Sequence, residues 1–265
     1  MALHSLRLGM PALVELDSID ALVELCLSAG LSFVELNLDL PYCHPDNNPA
    51  DALLRLSRST GIGFTIHFPE QVELGSAFET VRRGWLDALR AVQKWGASFN
   101  APVLVVHMQP GVYFTLPDGR AWVNERFPHA PLESLASSLS SLASMSQGST
   151  CVVAFENVTY NEYVGRAYEV LLDLGGWYTW DIGHDAVAGF ACTPLFERRL
   201  DRLRHMHLHD SDGTRNHLPL FEGSLDIARY LGLARERQAS VVIETKTADA
   251  IRASVARLRE RGLLD

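Results

Sequence analysis

The sequence predicts an α/β fold: a single (β/α)8 barrel with a parallel eight-stranded core, occupying residues 1–265 as one domain. Three observations predict it. Short apolar segments of strand character alternate with amphipathic helical ones along the whole chain, in units of roughly thirty residues, and strict alternation implies a parallel sheet with right-handed crossovers. Eight such units fill 265 residues, close to the ~250 typical of a closed barrel. No GxGxxG follows the first strand, which argues against a dinucleotide fold and for no nucleotide cofactor.

The elements follow in order. Ser5–Met10 is a short first strand. Asp17–Ala29 carries apolar residues at helical spacing, with Asp17 or Ser18 as N-cap and Gly30 as stop. Ser32–Leu38 is the second strand, Ala50–Ser59 a helix, and Gly63–Pro69 the third strand. Phe78–Trp95 is a long helix and Pro102–Met108 the fourth strand. Gln109–Pro131 is the longest connection; its Tyr113, Phe114, Trp122 and Phe127 favour an ordered active-site loop. Leu132–Met145 is helical, and Ser149–Val158 is the fifth strand. The helix Tyr163–Leu174 stops at Gly175-Gly176. Trp177–His184 is the sixth strand, Leu195–Leu203 a short helix, and Arg204–Asp210 the seventh strand. A polar loop, Asp212–Gly223, precedes the helix Ser224–Arg235; strand Ser240–Lys246 and helix Asp249–Arg261 close the chain.

Composition narrows the class. The chain is 47% hydrophobic and 21% charged, ordinary for a globular protein. A formal charge of −9 does not favour nucleic acid as a partner. Cys26, Cys43, Cys151 and Cys192 form no CxxC pair, so a thiolate zinc site is not expected and reduced, buried thiols are. The opening MALHSLRLGMPALVEL lacks a basic start before an unbroken apolar run, and no stretch reads as a membrane span. A cytoplasmic protein acting on a small molecule, without a membrane partner, is the resulting expectation; a homo-oligomer is compatible with it.

Ionisable residues recur where a barrel carries its functional groups, at the C-terminal ends of strands. His67 follows FTI, His107 follows LVV, Glu156 follows VAF, Asp181 follows YTW, His207 follows HM, and Glu244 follows VVI. In HMHLHD, His205, His207 and His209 alternate with apolar residues and so share one strand face. Six such groups at one barrel mouth are costly to desolvate without a compensating charge. A divalent metal compensates carboxylates and accepts neutral imidazoles, and this donor mixture suits zinc, manganese, iron or cobalt rather than calcium. Glu35, ending VEL, reads as a further acid/base group, a hydrogen-bonding group or a salt-bridged barrel residue. Lys246 shares the strand face of Glu244 and reads as a substrate contact or a rim residue.

The segments IHFPE, VVHMQPG, AFENV, WDIGH, HLHD, NHLPLFEG and IETK together resemble the xylose isomerase-like TIM barrels, from about Ser32 to Lys246. That group includes sugar isomerases and epimerases, hydroxypyruvate isomerase, inosose dehydratase and endonuclease IV. The resemblance implies a metal core of Glu156, Asp181, His207 and Glu244. It implies one divalent ion (manganese, magnesium, cobalt or zinc), with Glu156 and Glu244 as the catalytic pair moving protons through an enediolate. The endonuclease IV branch implies more: His67 and His107 would hold a second metal with Glu156, and His184 a third with a DxH pair in the loop after the seventh strand. Here that loop reads Arg215-Asn216-His217, with Arg215 where the carboxylate would stand. A guanidinium beside a cation is unfavourable, so Arg215, with His184 and His217, is expected to bind substrate instead. His67 and His107 stay candidates for a second metal or for substrate. His205 and His209 are expected to support His207. The expected activity is a metal-dependent isomerase or epimerase of a small sugar, sugar phosphate or polyol; the alternatives are a zinc phosphodiester hydrolase of the AP endonuclease class, or a barrel that binds without turnover.

Overall fold

The structure, a computed structural model, describes residues 6–145 and 148–264. The barrel strands begin with β1 (Leu8–Pro11), β2 (Phe33–Asn37), β3 (Gly63–His67) and β4 (Val103–His107). A two-stranded hairpin follows, β5 (Tyr113–Leu116) and β6 (Gly119–Trp122). The barrel resumes with β7 (Val152–Glu156), β8 (Trp177–Asp181), β9 (Leu203–Leu208) and β10 (Ser240–Ile243). The closed order is β1-β10-β9-β8-β7-β4-β3-β2, with every barrel pair parallel. This is the (β/α)8 barrel expected from the alternation.

Outside the strands lie α1 (Ile19–Ala29), α2 (Ala50–Thr60), α3 (Glu79–Ser98), the one-turn α4 (Val123–Arg126), α5 (His129–Met145) and α6 (Glu162–Asp173). They continue with α7 (Ile182–Val187), α8 (Thr193–Phe196), α9 (Ile227–Arg237) and α10 (Ala248–Glu260). Ser18 caps α1 by accepting from Ala21 N, and Gly30 ends it at φ 73°, a left-handed conformation that glycine adopts without cost. No described helix is long and apolar enough to cross a membrane. All four cysteines are buried and unpaired.

Period-two alternation divides each strand between two environments. Val34, Leu36, Phe64, Ile66, Leu104 and Val106 face outward and join the large cluster under the helices. The alternate positions face the barrel axis. Near the strand starts these are apolar, with Val103, Val105 and Ala154 forming a small separate cluster. Toward the strand ends they are Glu35, Thr65, His67, His107, Glu156, Thr179, Asp181, His205 and His207, of which only His107 is not fully buried. The barrel thus has a dry floor and an ionisable upper layer.

Several boundaries differ from expectation, each for a local reason. The sixth strand stops at Asp181 rather than His184, because the Asp181 side chain accepts from His184 N and caps α7. The last strand ends at Ile243 rather than Lys246: Thr245 N turns back onto Ile243 O at 3.0 Å, placing Glu244 just past the sheet. The long connection after β4 is not irregular but contains the β5–β6 hairpin and α4. The segment expected as one helix over Leu195–Leu203 breaks into α8 and a 3-10 stretch, and β9 already begins at Leu203. The expected first-strand start at Ser5 lies outside the described residues.

The tightest point of the floor is Gly9, where a Cβ would meet the Phe33 ring at 2.5 Å. Gly9→Ala should therefore destabilise the barrel by about 1–3 kcal/mol, the usual cost of overpacking, read from denaturant unfolding. An unchanged midpoint would show that the Phe33 ring yields freely.

Candidate metal centre

Parallel register brings the strand ends to one level. His107 pairs with Glu156 across β4 and β7, and Asp181 with His207 across β8 and β9. Glu244 N donates to Leu208 O at 3.0 Å, one step beyond the Ile243–Leu208 pair. One potential ligand atom from each of Glu156, Asp181, His207 and Glu244 lies within 4.8 Å of all the others. All four residues are buried.

Glu156 is the hub. Its Oε1 is 2.8 Å from His207 Nδ1, and its Oε2 is 3.2 Å from His67 Nε2 and 3.5 Å from His107 Nε2. His207 Nδ1 also lies 3.5 Å from Glu244 Oε2. The other Glu244 oxygen, Oε1, accepts from Lys246 Nζ at 2.7 Å. Asp181 Oδ1 is committed to capping α7, at 2.7 Å from His184 N. Asp181 Oδ2 and Glu244 Oε2 are buried without a hydrogen-bond partner. Orphaned buried carboxylate oxygens are expensive, and a cation among them removes the cost. With an imidazole nitrogen and carboxylate oxygens as donors, the residues fit a divalent ion such as zinc, manganese or cobalt.

The charges are tuned by competition between burial and neighbours. Burial works against ionisation of Glu156, yet His207, hydrogen-bonded to it, and then His67 and His107 hold its carboxyl well below the usual range. Glu244 is likewise held low against burial, chiefly by Lys246 and His207. Burial opposes the His207 imidazolium, but Glu156, Glu35 and Glu244 outweigh it and raise its pKa well above the ordinary value. Without an ion, a protonated His207 is the cation this group of carboxylates holds. His107 and His217 go the other way: burial depresses each to about 4 despite nearby glutamates.

The remaining site candidates are placed as follows. His67 and His107 lie with Glu156 in a set whose ligand atoms are within 4.8 Å of one another. Their Nε2 atoms are 3.0 Å apart. His184, His209 and His217 form another such set. His217 Nδ1 contacts Glu244 O at 3.0 Å, and its backbone N donates to His209 Nδ1 at 2.7 Å. Lys246 lies at the rim, its side chain 55% exposed, yet it reaches Glu244. Arg215 is not brought to the cluster: its side chain is 70% exposed and its Nε is 2.8 Å from Asp212 Oδ2 within the same loop. Glu35 is not at the mouth either but lies beneath His207, 2% exposed. A cleft of about 410 Å3 opens beside His107, bordered by Glu70, Glu73 and Gln109. A separate apolar hollow between α5 and α6 touches none of these residues.

Three supporting residues were not singled out, or not in these roles, by sequence reasoning. Asn157 pairs with the Asp181 backbone as a strand would, donating to Asp181 O at 2.8 Å and accepting from Asp181 N at 2.9 Å. It extends the sheet by one residue and fixes the Asp181 Cα. Gly183 leaves room for the fully buried His209, whose ring a Cβ there would meet at 1.9 Å. His209 Nε2 in turn lies 3.2 Å from Asp181 Oδ1. That Asn157 follows Glu156 directly, and that Gly183 lies two residues after Asp181, was the sequence signal for the first two.

The family model for the xylose isomerase-like TIM barrel matches residues 23–261. The chain belongs to this family. No curated relative matches the chain in sequence. Among solved structures, this xylose isomerase-like barrel is similar to a D-tagatose 3-epimerase-like protein, at TM-score 0.77 and 22% identity over 96% of both chains. It is similar to 3-keto-D-glucoside 4-epimerase from E. coli, at TM-score 0.77 and 18% identity over 97% of this chain and 100% of that one. An IolI protein with a bound zinc atom matches at TM-score 0.74 and 15% identity over 96% and 97%. At these identities the similarity is one of fold.

The site makes the metal-free protein sensitive to acid. Glu156 and Glu244 sit below their ordinary value of 4.5, so they stabilise the fold above it and lose that contribution as pH falls. His107 and His217, at about 4 against an ordinary 6.5, stay neutral while the unfolded chain takes up protons, so they also destabilise the fold as pH falls between those values. His67, His207 and His209 are raised, and their opposite contribution is already in place below 6.5. The melting temperature of the chelator-treated protein should be lower at about pH 4.5 than at about pH 6. An equal or higher value at the lower pH would contradict these charge states.

Proposed function

We propose that the protein is a divalent-metal-dependent isomerase or epimerase of a small sugar, sugar phosphate or related polyol. The observation that carries this reading is the buried Glu156–Asp181–His207–Glu244 group, with its two orphaned carboxylate oxygens. The names of the sugar epimerases among the similar folds support the same substrate class.

In this reading Glu156, Asp181, His207 and Glu244 hold one ion. A divalent ion there supplies Lewis acidity toward a substrate carbonyl and so acidifies the neighbouring C–H. Glu156 and Glu244 are ionised and approach His207 Nδ1 from different strands, β7 and the end of β10. One takes the proton from the substrate carbon and the other delivers it, through an enediolate. Lys246 keeps Glu244 ionised and its Oε1 fixed. His217, anchored through Nδ1 to Glu244 O, keeps Nε2 for a substrate hydroxyl, and His184 flanks it with ring centroids 5.2 Å apart. The β5–β6 hairpin rises from the connection that borders the cleft beside His107 and excludes water when substrate is bound.

A second reading, a zinc phosphodiester hydrolase with two or more metals, is favoured by the His67–His107–Glu156 set. Arg215 is paired with Asp212 within its own loop in the absence of substrate.

With a panel of ketoses in deuterated buffer, the metal-loaded protein should exchange the proton next to the carbonyl. Glu244→Gln should lower that exchange about a hundredfold or more, as loss of an acid/base group does, while leaving the fold intact by circular dichroism. One metal per chain accompanies this reading. Two or three zinc ions per chain, with cleavage of a phosphodiester and no exchange on any ketose, would sink it.

A further inference from the structure

The buried groups beneath the metal ligands form a chain with a direction. Ser240 Oγ is 2.6 Å from His205 Nδ1. His205 Nε2 is 3.1 Å from Glu35 Oε2, a contact of charge without a hydrogen bond, and that oxygen accepts from Thr65 Oγ1 at 3.0 Å. The other oxygen, Glu35 Oε1, is 2.8 Å from His207 Nε2. Across the ring, His207 Nδ1 faces Glu156 Oε1 at 2.8 Å. Glu35, Thr65, His205 and His207 are all buried. The approach to His207 Nε2 is off the line of its N–H, so the contact is one of charge rather than a straight hydrogen bond. That nitrogen has no hydrogen-bond partner, so the Glu35 charge is what acts on it.

We propose that Glu35 is a positioning residue that selects which nitrogen of His207 faces the metal. This rests on the metal reading above, in which an ion is held by Glu156, Asp181, His207 and Glu244. A metal-binding imidazole offers one nitrogen as a lone pair and keeps its proton on the other. The carboxylate of Glu35 attracts that proton to Nε2, which leaves Nδ1 as the donor atom on the side of Glu156 and Glu244. Carboxylate partners of this kind fix both tautomer and ring orientation at metal sites. Glu35 can do this because it is itself held: Thr65 and His205 both engage Oε2, so Oε1 is the oxygen left for His207. Ser240 completes the support by occupying His205 Nδ1, so that His205 turns Nε2 toward Glu35. The same burial removes Glu35 from contact with substrate, since the His207 ring stands between it and Glu156.

Zinc is the probe. The full-length protein is stripped with chelator and titrated with zinc against a chromogenic competitor, and the histidine nitrogens of the zinc-loaded form are read by NMR. The wild type should bind zinc with His207 in a single tautomer, protonated at Nε2. Glu35→Gln keeps the shape and removes the charge; it should weaken zinc about 10–100-fold, the usual cost of losing such a partner, and give His207 a mixed tautomer. Thr65→Val, which frees the Glu35 carboxylate without emptying the core, should weaken zinc less but in the same direction. A folded Glu35→Gln with wild-type zinc affinity and an unchanged His207 signal would overturn the proposal, even if its melting temperature falls. If Glu35→Gln does not fold, unchanged zinc affinity in Thr65→Val overturns it instead. Loss of one of two bound zinc ions in Glu35→Gln would also overturn it, by making Glu35 a ligand. A wild type that binds no zinc fails the metal reading itself, a result distinct from all of these.

Discussion

Burying like charges is the constraint on which this barrel turns. Glu35, Glu156 and Glu244 are packed around His207, with Asp181 beside them, in a layer that water scarcely reaches. Desolvation alone would force the three glutamates to take up protons. They stay ionised because positive charge is supplied at the centre, by His207 in the metal-free chain and by Lys246 from the rim. A divalent ion, if held there as proposed, would do the same work with a stronger charge.

The scaffold makes that arrangement possible through register and layering. Parallel pairing sets His107 beside Glu156 and Asp181 beside His207, so groups far apart in sequence end at one height. The apolar floor of Phe33, Val103, Val105 and Ala154 fills the lower barrel and keeps water from the layer above. Between the floor and the Glu156–Asp181–His207–Glu244 group lies the Ser240–His205–Glu35 support, joined by short polar contacts. The loops finish the upper side. Asp181 is aimed by its own capping bond and by Asn157, and the His217 loop is tied to His209 and to the Glu244 backbone.

Much of this was legible in the sequence because barrel strands announce themselves twice, by apolar alternation and by the ionisable residue that ends each run. The eight strands followed from that pattern, which also marked six strand-end residues; the family resemblance singled out among them the Glu156, Asp181, His207 and Glu244 that the structure gathers. What escaped was whatever depends on depth or side-chain direction. Glu35 ends an apolar run as Glu156 does, yet β1 pairs Pro11 with Glu35 and the side chain lies under His207 instead of above it. Spacing could not show that Arg215 turns back to Asp212, since a three-residue separation in a loop fixes no direction. His209 was read as a support for His207; its contact with Asp181 needs the space left by Gly183. The β5–β6 hairpin was hidden because two four-residue, largely exposed strands carry no buried face to imprint alternation.

The most direct test is where an ion goes. Crystals grown with manganese, with diffraction recorded for its anomalous signal, should show one ion per chain in contact with Glu156, Asp181, His207 and Glu244. No ion at that position, or an ion held only by His184, His209 and His217, would contradict a site built on the charge balance around His207.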